Sequence, residues 1–550
     1  MNENCRVAYF SMEIGLRNNF KTYSGGLGVL AGDLLKSASD INYKMTGITL
    51  LYREGYLKQI LDKEEGQKEE PDNWDYQENL QLLEEQIQLQ IKQETVNANI
   101  WRYQVGETVD ILFLDTGLEE NSDFAKNLTR QLYAPGQDTR LAQEALLGIG
   151  GIKALQKLSK NPEIHHMNEG HSALLTTQLY KQYRQEGYEP QEAQEKTTER
   201  CVFTTHTPVE AGHDKFNEDL VREIIPQQKQ YLEETGFFDL NTTKLALKNS
   251  KYVNAVSKKH GEVSKDMFPE TDIDWIVNGI HSQTFTNPYL KEKLDSKIPL
   301  WREEPARLTQ TEKLTKKEIW ETHQKRKTDL IEHINQSKEN TDFSEDILTL
   351  GFARRATSYK RMDILFKDLD RIEDLASEYE GLQIVLAGKA HPEDTAGKEL
   401  ISKVLNYSNI LEEADAVFLE DYDMELGKLL TSGVDVWVNT PVRGKEASGT
   451  SGMKAAHNGV PHLSILDGWW LEGHIEGKTG WSIGEDYVEG ENPNIVDSKS
   501  IYNKLEEILQ TYHHDREEWI KIMQTTITTN ASFFNSQRML KDYIAKAYQK

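Results

Sequence analysis

The sequence predicts an α/β protein with two doubly wound parallel sheets. Short apolar runs that suit buried strands alternate with stretches of helical periodicity, first in the N-terminal half and again in the C-terminal half. Parallel strands need long crossover connections, which are usually helices. The chain has 550 residues, and single hydrophobic cores stop growing near ~250–300 residues. Two α/β domains are therefore expected.

The first half supplies one set of alternating elements. Its predicted strands are short and apolar: Arg6–Met12, Asn99–Val105, Val109–Asp115, Glu163–Met167, Val202–Thr205, Tyr252–Val256 and Trp275–Val277. Its predicted helices show a period near 3.6 residues: Gly28–Ser39, Ala142–Leu158 and Ala173–Arg184. Residues 62–94 interrupt the alternation with many Glu, Gln and Lys residues. We interpret them as a solvated, partly helical excursion.

A charge-rich helical region at residues 288–345 has few strand signals and predicts the junction between the domains. The alternation then restarts. Strands are predicted at Ile347–Gly351, Gln383–Gly388, Ala416–Leu419 and Val434–Val438, and helices at Arg361–Tyr379, Lys398–Val404 and Leu426–Thr431. Such sheets bind ligands beyond the carboxyl ends of their strands. A ligand in a cleft between the two domains is therefore expected.

Composition and charge exclude several classes of function. The net charge is −26, so nucleic acid and anionic membranes are poor partners. The sequence has no apolar run of ~18 residues and no signal-peptide pattern at its start. Its two cysteines, Cys5 and Cys201, cannot build a disulfide framework and lie in no metal-binding pattern. We expect a cytoplasmic protein, because free cysteines suit a reducing compartment.

Two glycine-rich or basic segments follow predicted strands. Tyr23–Gly28 (YSGGLG) precedes a helix, where free N–H groups and close backbone approach suit an anion, although a tight strand–helix turn has the same pattern. Ala353–Arg361 holds four basic residues in nine positions. Arg forks and a Lys charge suit a phosphate site, and the alternative is a solvated helix start.

A third segment, Gly444–Lys454, combines small and hydroxylated residues with a lysine. Its backbone N–H groups and hydroxyls could hold a phosphate, and Lys454 could form a Schiff base. The segment is not a Walker A loop, because the GK[ST] ending is missing. The alternative is an ordinary exposed helix lysine.

Polar residues also end several predicted strands of the first half. His166–His171 (HMNEGH) and Thr204–Pro208 (TTHTP) lack HExxH metal spacing, so they suit a hydrogen-bonding sugar pocket better than a metal site. Asn278 has the same placement after a strand. Trp469 and Trp470 either stack on sugar rings or pack in a core.

Taken together, the motifs resemble those of the α-glucan phosphorylases, and in the same order. The matching segments are YFSME (Tyr9–Glu13), YSGGLG (Tyr23–Gly28), HMNEGHS (His166–Ser172), FTTHTP (Phe203–Pro208), VNGI (Val277–Ile280), RRATSYKR (Arg354–Arg361), LAGKAHP (Leu386–Pro392) and EASGTSGMK (Glu446–Lys454). The last is the most specific, because it resembles the pyridoxal phosphate attachment segment of glycogen and maltodextrin phosphorylases. The resemblance runs from Arg6 to about Gly484 and is weaker beyond.

The resemblance implies a GT-B fold of two Rossmann-like domains, with the active site in the cleft between them. It assigns residues 1–285 to a glucan- and phosphate-binding domain and residues 286–525 to a cofactor-binding domain. Residues 526–550 would return to the first domain as a C-terminal helix.

The implied reaction converts an α-1,4-glucan and inorganic phosphate into α-D-glucose 1-phosphate and a glucan one unit shorter. Pyridoxal 5′-phosphate is the implied cofactor. Lys454 would hold it as a Schiff base, and Arg354, Thr450 and Ser451, with Tyr422 beside them, would bind its phosphate. The cofactor phosphate, with a second pKa near ~6, would pass the proton that leads to glycosidic cleavage.

The resemblance also implies the substrate contacts. Arg355 and Lys360 would bind the substrate phosphate, Glu446 would hold glucose, and His206 would lie beside the reacting sugar through its backbone carbonyl. The remaining substrate-binding residues implied are Gly25, Gly26, His171, Asn278, Ser448 and Gly449. No metal ion is implied.

Departures from the long enzymes resemble the short bacterial branch of the family. They include Asp423 in place of an Arg, Ser451-Gly452 in place of Gly-Asn, and the tryptophans after Asp467. The chain begins almost at its first strand, so we expect no counterpart of the N-terminal phosphorylation and nucleotide-effector segments. These differences concern glucan length and acceptor contacts.

Two other functions remain alternatives. A nucleotide-sugar-dependent glucan synthase shares the GT-B fold and the GGLG loop but needs no Schiff-base lysine, so EASGTSGMK disfavours it. A catalytically inactive glucan-binding relative is disfavoured by the presence of Arg355, Lys360 and Lys454. The sequence leaves a homo-oligomer open.

Overall fold

The computed structural model describes residues 5–62, 66–337, 342–484, 487–488 and 490–549. The strands, in chain order, are β1 Val7–Ser11, β2 Met45–Leu50, β3 Lys58–Asp62, β4 Gly66–Glu70, β5 Gln81–Ile91, β6 Glu94–Val105, β7 Val109–Asp115, β8 Ile164–Asn168, β9 Cys201–Thr204, β10 Lys215–Phe216, β11 Leu240–Asn241, β12 Tyr252–Ala255, β13 Asp274–Trp275, β14 Thr349–Ala353, β15 Leu382–Ala387, β16 Ala414–Leu419, β17 Val436–Asn439, β18 His462–Ile465 and β19 Gly480–Ile483.

The α-helices, in chain order, are α1 Gly26–Asp40, α2 Tyr76–Asn79, α3 Asp123–Asn127, α4 Gln137–Ala145, α5 Gly151–Lys157, α6 Leu175–Gln185, α7 Pro190–Glu199, α8 Glu218–Ile224, α9 Lys229–Glu234, α10 Thr242–Lys248, α11 Lys258–Met267, α12 Ser282–Phe285, α13 Pro288–Lys297, α14 Lys316–Ser337, α15 Leu369–Glu378, α16 Thr395–Ser408, α17 Met424–Gly433, α18 Ser451–Ala456, α19 Trp470–Gly473, α20 Pro493–His514, α21 Arg516–Thr526 and α22 Ser536–Tyr543. In the described chain, none of these helices combines the length and apolar character needed to cross a bilayer.

The chain forms two compact units, which confirms the predicted α/β class, although only the second unit's main sheet is wholly parallel and the first unit's is mixed. The first unit contains Met1–Leu57, Pro71–Val277 and Met539–Lys550. Nine of its described strands form one sheet in the order β13-β12-β9-β8-β1-β2-β7-β6-β5, and β10 pairs separately with β11. Pairing is parallel from β13 to β7 and antiparallel from β7 to β5.

Helices cover both faces of this first sheet, so its central strands are buried throughout. Every residue of β1, β2, β7 and β8 is buried, as expected for parallel strands with both faces covered. In the sheet, β1 lies between β2 and β8, so the chain continues first on one side of β1 and later on the other. This topological switch point places the carboxyl ends of β1 and β8 where such sheets bind ligands.

The second unit contains Lys58–Glu70 and Asn278–Arg538. Six of its described strands form a parallel sheet in the order β16-β15-β14-β17-β18-β19, and β3 and β4 form a separate antiparallel hairpin. The order reverses between β14 and β17, which is the switch point of this sheet. The predicted domain boundaries at 285/286 and 525/526 stay predictions. So do the glucan-binding and cofactor-binding roles predicted for the two domains, because packing alone does not assign them.

Residues 62–94 were predicted to be a solvated, partly helical excursion, but most of them are strands, and of those described only the short helix α2 is helical. In β5, Ile87, Leu89 and Ile91 are buried and alternate with glutamines. This two-residue period is the signal of an edge strand and outweighs the polar composition. Residues 63–65 lie outside the described part of the chain.

The predicted helix Arg361–Tyr379 is also wrong over its first half, because α15 begins only at Leu369. Arg361 has a left-handed backbone conformation with φ 52°, and it lies between two 3₁₀ turns, Ser358–Lys360 and Ile364–Phe366. The predicted helical region at 288–345 does contain α13, a 3₁₀ turn and α14. Its apolar residues pack in the core of the second unit. Residues 338–341 are outside the described chain.

Candidate functional site

The carboxyl ends of β14 and β17 carry a buried group of charged residues in the second unit's sheet. Arg354 follows β14 directly, and Asn439 is the last residue of β17. The Arg354 guanidinium donates to the Asn439 carboxamide oxygen and to Glu446. Because the two strands are neighbours at the switch point, the segment after β14 meets the segment after β17, although they are distant in sequence.

Glu446 is the anionic centre of this group. Its Oε2 accepts a hydrogen bond from Lys360 Nζ at 2.6 Å and another from Arg354. All three side chains are buried. One carboxylate therefore faces two buried cations, which leaves an excess of positive charge at the end of the sheet.

The protonation of this group reflects the same imbalance. Burial, together with the nearby Arg354 charge, lowers the pKa of Lys360 to about 8. Burial raises the pKa of Glu446, but the charges of Arg354 and Lys360 outweigh burial and lower it to about 2. Glu446 is thus ionised at neutral pH, and the pKa of Lys360 lies close to neutral pH. A bound anion would restore the missing negative charge.

The four basic residues of the segment 353–361 do not act as one set. Arg354 and Lys360 lie on Glu446, while Arg355 is exposed. Arg361 instead pairs with Asp497 at 2.8 Å and donates to two backbone carbonyls of the loop after β17. Arg361 therefore does not belong with the basic residues predicted to bind phosphate. Its side chain anchors the loop after β17 instead.

The loop that leads into α18 places Lys454 and its hydroxyl-bearing neighbours beside β17. The Trp437 indole N–H, on β17, donates to Ser451 Oγ at 3.1 Å. Lys454 Nζ lies 4.4 Å from the centroid of the Phe285 ring. Gly452 allows α18 to approach closely, because a Cβ atom there would meet Trp469 at 2.8 Å and His462 at 2.9 Å.

Tyr422 lies in the loop between β16 and α17. Its hydroxyl packs against Gly427 of α17, and burial raises its pKa to about 12, so the phenol stays protonated. The preceding Asp421 has φ 57° and is held by Gln59 of the β3–β4 hairpin. The Asp421 N–H donates to Gln59 Oε1 at 3.0 Å, and the Gln59 N–H donates to Asp421 Oδ1 at 3.0 Å.

Gln59 also holds the loop after β15. Its fully buried carboxamide donates to the Gly388 carbonyl and to Gln67 Oε1, both at 2.8 Å. Gly388 has φ 148°, and a Cβ atom there would overlap the Arg354 carbonyl oxygen. A hairpin from the N-terminal half of the sequence therefore fixes the backbone on which Arg354 sits.

The residues in this region suit pyridoxal 5′-phosphate, the cofactor that the sequence resemblance implies. They supply a primary amine, a buried guanidinium, two hydroxyls and a phenol: Lys454, Arg354, Thr450, Ser451 and Tyr422. Three buried polar atoms nearby have no hydrogen-bond partner among the described residues: Ser448 Oγ, His462 Nε2 and Trp469 Nε1. Unsatisfied buried donors and acceptors mark a place where a ligand's polar atoms are expected.

In the first unit, Glu13 follows β1 and binds the glycine-rich loop. Its carboxylate accepts from the N–H groups of Ser24 and Gly25 at 2.5 and 3.1 Å, and from the Tyr133 hydroxyl at 2.9 Å. These backbone donors at the start of α1 are thus partly occupied by the protein itself. Space remains beside Gly26, where a Cβ atom would have no neighbour within 4 Å.

His206 follows β9 and is held in place by two residues at the end of β8. Its ring Nε2 lies 2.7 Å from Asn168 Oδ1, and its backbone N–H donates to Glu169 Oε2 at 2.8 Å. Burial lowers the pKa of His206 to about 3, so the ring is neutral at pH 7. Glu169 has φ 74°, a strained conformation that its three accepted hydrogen bonds support.

His171 belongs to a second charged group in the first unit. Its Nε2 lies 3.6 Å from Asp214, which pairs with Arg140 at 3.0 Å. Arg140 also lies 3.4 Å from Glu144, a fully buried carboxyl. Burial, followed by the charge of Asp214, raises the pKa of Glu144 well above its usual range. His171 itself is neutral, since burial lowers its pKa to about 3.

Three further sequence-predicted residues have structural surroundings that their sequence motifs did not fix. His166 is buried between Tyr548 (Nδ1 to hydroxyl 2.6 Å) and Thr204 (Nε2 to hydroxyl 2.8 Å), so it holds the C-terminal segment. Trp469 and Trp470 are 1% and 0% exposed and pack on His462, so the sugar-stacking interpretation is wrong for this structure. Both indole rings gain more from packing in the interior than they would from exposure on the loop surface.

Asn278 is 2% exposed, and its buried Oδ1 has no hydrogen-bond partner among the described residues. Such an atom is available to a ligand hydroxyl. Across the described chain, no three His, Cys, Asp or Glu side chains converge in a way that could hold a metal ion.

Sequence reasoning missed several residues that organise these groups: Glu13, Asn168, Glu169, Asn439, Asp467 and Gln59. Burial raises the pKa of Asp467 to about 6, and its Oδ2 accepts from the Glu446 N–H at 3.0 Å. Most of them end or directly follow a buried strand. Polar residues at the carboxyl ends of strands beside a switch point could have been predicted to line a site. No local sequence pattern would have singled out Gln59.

Comparison with known protein families gives two matches. The carbohydrate phosphorylase family matches residues 233–480, which include Arg354, Glu446 and Lys454. The starch synthase catalytic domain matches residues 6–278. The latter match covers only N-terminal sequence and does not extend to the segment with Lys454.

Comparison with individual proteins gives matches over almost the whole chain. A maltodextrin phosphorylase from Thermococcus litoralis is 38% identical over 99% of this chain and 70% of its own length. A glycogen phosphorylase from Aquifex aeolicus is 35% identical over 99% of this chain and 86% of its own. A glycogen phosphorylase from Mycobacterium tuberculosis is 33% identical over 98% and 70%, respectively.

Proposed function

Because the chain belongs to the glycogen and maltodextrin phosphorylase family, we propose that it catalyses the reversible phosphorolysis of an α-1,4-glucan. The non-reducing terminal glucose would be transferred to inorganic phosphate, which yields α-D-glucose 1-phosphate and a glucan shortened by one unit. The protein is a glycosyltransferase of carbohydrate metabolism, and its α/β fold with two largely parallel sheets is of the GT-B type. The two buried, free cysteines support the proposed cytoplasmic location.

One observation carries the proposal: a single buried carboxylate, Glu446, faces the cations of Arg354 and Lys360 at the switch point. In a chain of net charge −26, such a local excess of positive charge is built for anions. A reaction that brings phosphate to a sugar needs it, because phosphate groups repel one another strongly at low dielectric.

We assign the cofactor to the segment around Lys454. Lys454 would attach pyridoxal 5′-phosphate, and Arg354, Thr450, Ser451 and Tyr422 would bind its phosphate. When bound, this group supplies a phosphate monoester with a second pKa near ~6, which can exchange a proton at neutral pH.

The other residues of the second unit would act on the substrates directly. Arg355 and Lys360 would bind the substrate phosphate, and their charges would stabilise it as the glycosidic bond breaks. Glu446, Ser448, Gly449 and Asn278 would hold glucose hydroxyls. Glu446 would also keep Lys360 protonated, because its carboxylate lies 2.6 Å from Lys360 Nζ.

Residues of the first unit would orient sugar. His206 is neutral, and its position is set by Asn168 and Glu169, so its backbone carbonyl can present a fixed acceptor to a hydroxyl. His171 would supply a further neutral ring nitrogen. Gly25 and Gly26 would allow close approach of a phosphate or sugar at the start of α1.

The direct test incubates the purified protein with a maltodextrin and inorganic phosphate and measures glucose 1-phosphate. We expect phosphate-dependent release of glucose 1-phosphate, and glucan elongation when glucose 1-phosphate is supplied. A parallel reaction with ADP-glucose or UDP-glucose tests the glucan synthase alternative, which the starch synthase match to residues 6–278 raises. Elongation from a nucleotide sugar, without phosphorolysis, would refute the proposal.

A further inference from the structure

Gly452 is the second residue of α18, two positions before Lys454, and its surroundings leave no room for a side chain. A Cβ atom there would lie 2.8 Å from the Trp469 ring and 2.9 Å from the His462 ring. Carbon atoms in contact normally lie about 3.5–4.0 Å apart, so even an alanine would force a ring or the helix to move. Glycine weakens a helix relative to alanine, and its presence inside α18 therefore indicates a steric requirement.

The two rings that face Gly452 are fixed by their own packing. Trp469 and His462 are buried and stack with their ring centroids 5.6 Å apart. The Phe534 ring packs edge-on against Trp469 at 4.8 Å. Burial lowers the pKa of His462 to about 3, so its ring is neutral, and its Nδ1–H donates to the Trp437 carbonyl at 2.8 Å. A closely packed interior transmits a displacement to its neighbours, so an added methyl group would shift α18 itself.

The loop after β18, which carries Trp469, also holds the backbone of the segment before α18. The Trp469 N–H donates to the Ser448 carbonyl at 3.0 Å, and the Asp467 carboxylate accepts from the Glu446 N–H at 3.0 Å. Gly468 has φ 53°, and a Cβ atom there would lie 2.5 Å from the Ser448 carbonyl oxygen. Three consecutive residues of this loop thus contact the chain that leads into α18.

The placement of α18 matters because its first turn carries groups assigned to the cofactor. Ser451 directly precedes Gly452, and its hydroxyl accepts from the Trp437 indole N–H at 3.1 Å. Lys454 lies two residues further along the same helix. Any displacement of Gly452 therefore moves the proposed phosphate-binding hydroxyl and the proposed Schiff-base amine together.

We propose that Gly452 and Trp469 form one matched steric pair, in which the Trp469 ring positions the first turn of α18 for the cofactor phosphate. Trp469 is a positioning residue, because it acts through the helix. Two departures from the long enzymes, a glycine where they have an asparagine and the tryptophan after Asp467-Gly468, are then a single exchange of volume between helix and loop. The positioning role rests on the proposed cofactor assignment, whereas the steric pairing does not.

The test compares Gly452→Ala, Trp469→Leu and the double variant with the wild type, all as full-length protein freed of cofactor. The matched control is Gly261→Ala, a buried helical glycine whose Cβ atom would lie 3.6 Å from the Trp275 side chain, an ordinary contact. Scanning calorimetry gives the melting temperature. Equilibrium dialysis gives the affinity for pyridoxal 5′-phosphate and for pyridoxal, which has the same aldehyde but no phosphate.

Gly452→Ala should lower the melting temperature by about 2–6 °C, because overpacking outweighs the better helix propensity of alanine. Its affinity for pyridoxal 5′-phosphate should fall at least about tenfold, as expected when a hydrogen bond to a charged group is misplaced. Its affinity for pyridoxal should fall much less. In the Trp469→Leu background the same substitution should instead raise the melting temperature and the cofactor affinity, because the methyl group fills space that leucine leaves. Gly261→Ala should lower neither quantity.

An equal loss on adding Gly452→Ala in both backgrounds would overturn the proposal, because the two positions would then act independently. Equal losses for pyridoxal 5′-phosphate and pyridoxal would overturn the positioning role, since no phosphate contact would have been displaced. If the wild type binds no pyridoxal 5′-phosphate, the cofactor assignment fails, and the reversal in melting temperature still decides the steric pair. Should Trp469→Leu not fold, Trp469→Phe takes its place and the same reversal is required.

Discussion

Replacing Glu446 with glutamine tests how one carboxylate supports two buried cations. Glu446→Gln keeps the shape of the side chain but removes the charge that Arg354 and Lys360 share. Each charge-assisted hydrogen bond is worth roughly 1.5–3 kcal/mol, and breaking a buried ion pair costs about 3–5 kcal/mol. For a unit of this size, about 2 °C of melting temperature corresponds to 1 kcal/mol. We expect the melting transition to fall by at least about 5 °C.

The same substitution should change the pH dependence of catalysis. The pKa of Lys360 is about 8. Burial and the charge of Arg354 lower this pKa, and the Glu446 carboxylate raises it. If the Lys360 ammonium loses about 1.5–3 kcal/mol of stabilisation by the Glu446 carboxylate, its pKa falls by roughly 1–2 units. Phosphate binding needs the ammonium form. The alkaline fall of kcat/KM for phosphate should therefore move to lower pH in the variant.

Two measurements decide the outcome. Differential scanning calorimetry gives the melting temperature with and without inorganic phosphate, and initial rates between pH 6 and 9 give kcat/KM. Added phosphate should stabilise Glu446→Gln more than the wild type, because a bound anion replaces the lost charge. The control is Glu186→Gln on the exposed end of α6, which should change neither quantity. An unchanged melting temperature with an unchanged alkaline limb in Glu446→Gln would refute the reasoning.

Four further outcomes are expected. Lys454→Ala should purify without pyridoxal 5′-phosphate and be inactive, and an absorption spectrum with normal cofactor content would contradict the assignment. Arg355→Lys should lose at least about tenfold in kcat/KM for phosphate in phosphorolysis and in rate of synthesis, because a point charge does not replace a bidentate fork; wild-type phosphate kinetics would exclude that role. Gln59→Leu removes the donor to the Gly388 carbonyl and should weaken cofactor retention, measured by equilibrium dialysis, while Gln59→Glu tests whether the hydrogen bonds or the packing matter. The pKa of Glu144 is raised, so its contribution to stability is present at low pH and is lost as pH rises through the folded pKa; the melting temperature of Glu144→Gln minus that of the wild type should increase from pH 5 to pH 8.

The sequence by itself determined the fold class and most strand positions. Buried parallel strands such as β1 and β8 are local apolar runs, and their sequence signal survives without knowledge of neighbours. The segment that contains Lys454 was also visible, because small, hydroxylated and basic residues occur together over a few positions. By contrast, β5 was misread, since its glutamines suggested solvent although the two-residue alternation of Ile87, Leu89 and Ile91 marks an edge strand.

Only the tertiary structure decided which charged side chains meet. Lys360 and Arg361 are adjacent in sequence, yet Lys360 lies on Glu446 while the left-handed backbone at Arg361 directs its guanidinium to Asp497. Gln59 lies hundreds of residues before Gly388, and no local pattern relates the two. Burial sets protonation in the same way: the carboxyls of Glu144 and Glu446 have similar intrinsic chemistry, but the pKa of Glu144 is raised and that of Glu446 lowered, because burial dominates at Glu144 whereas two close cations outweigh it at Glu446.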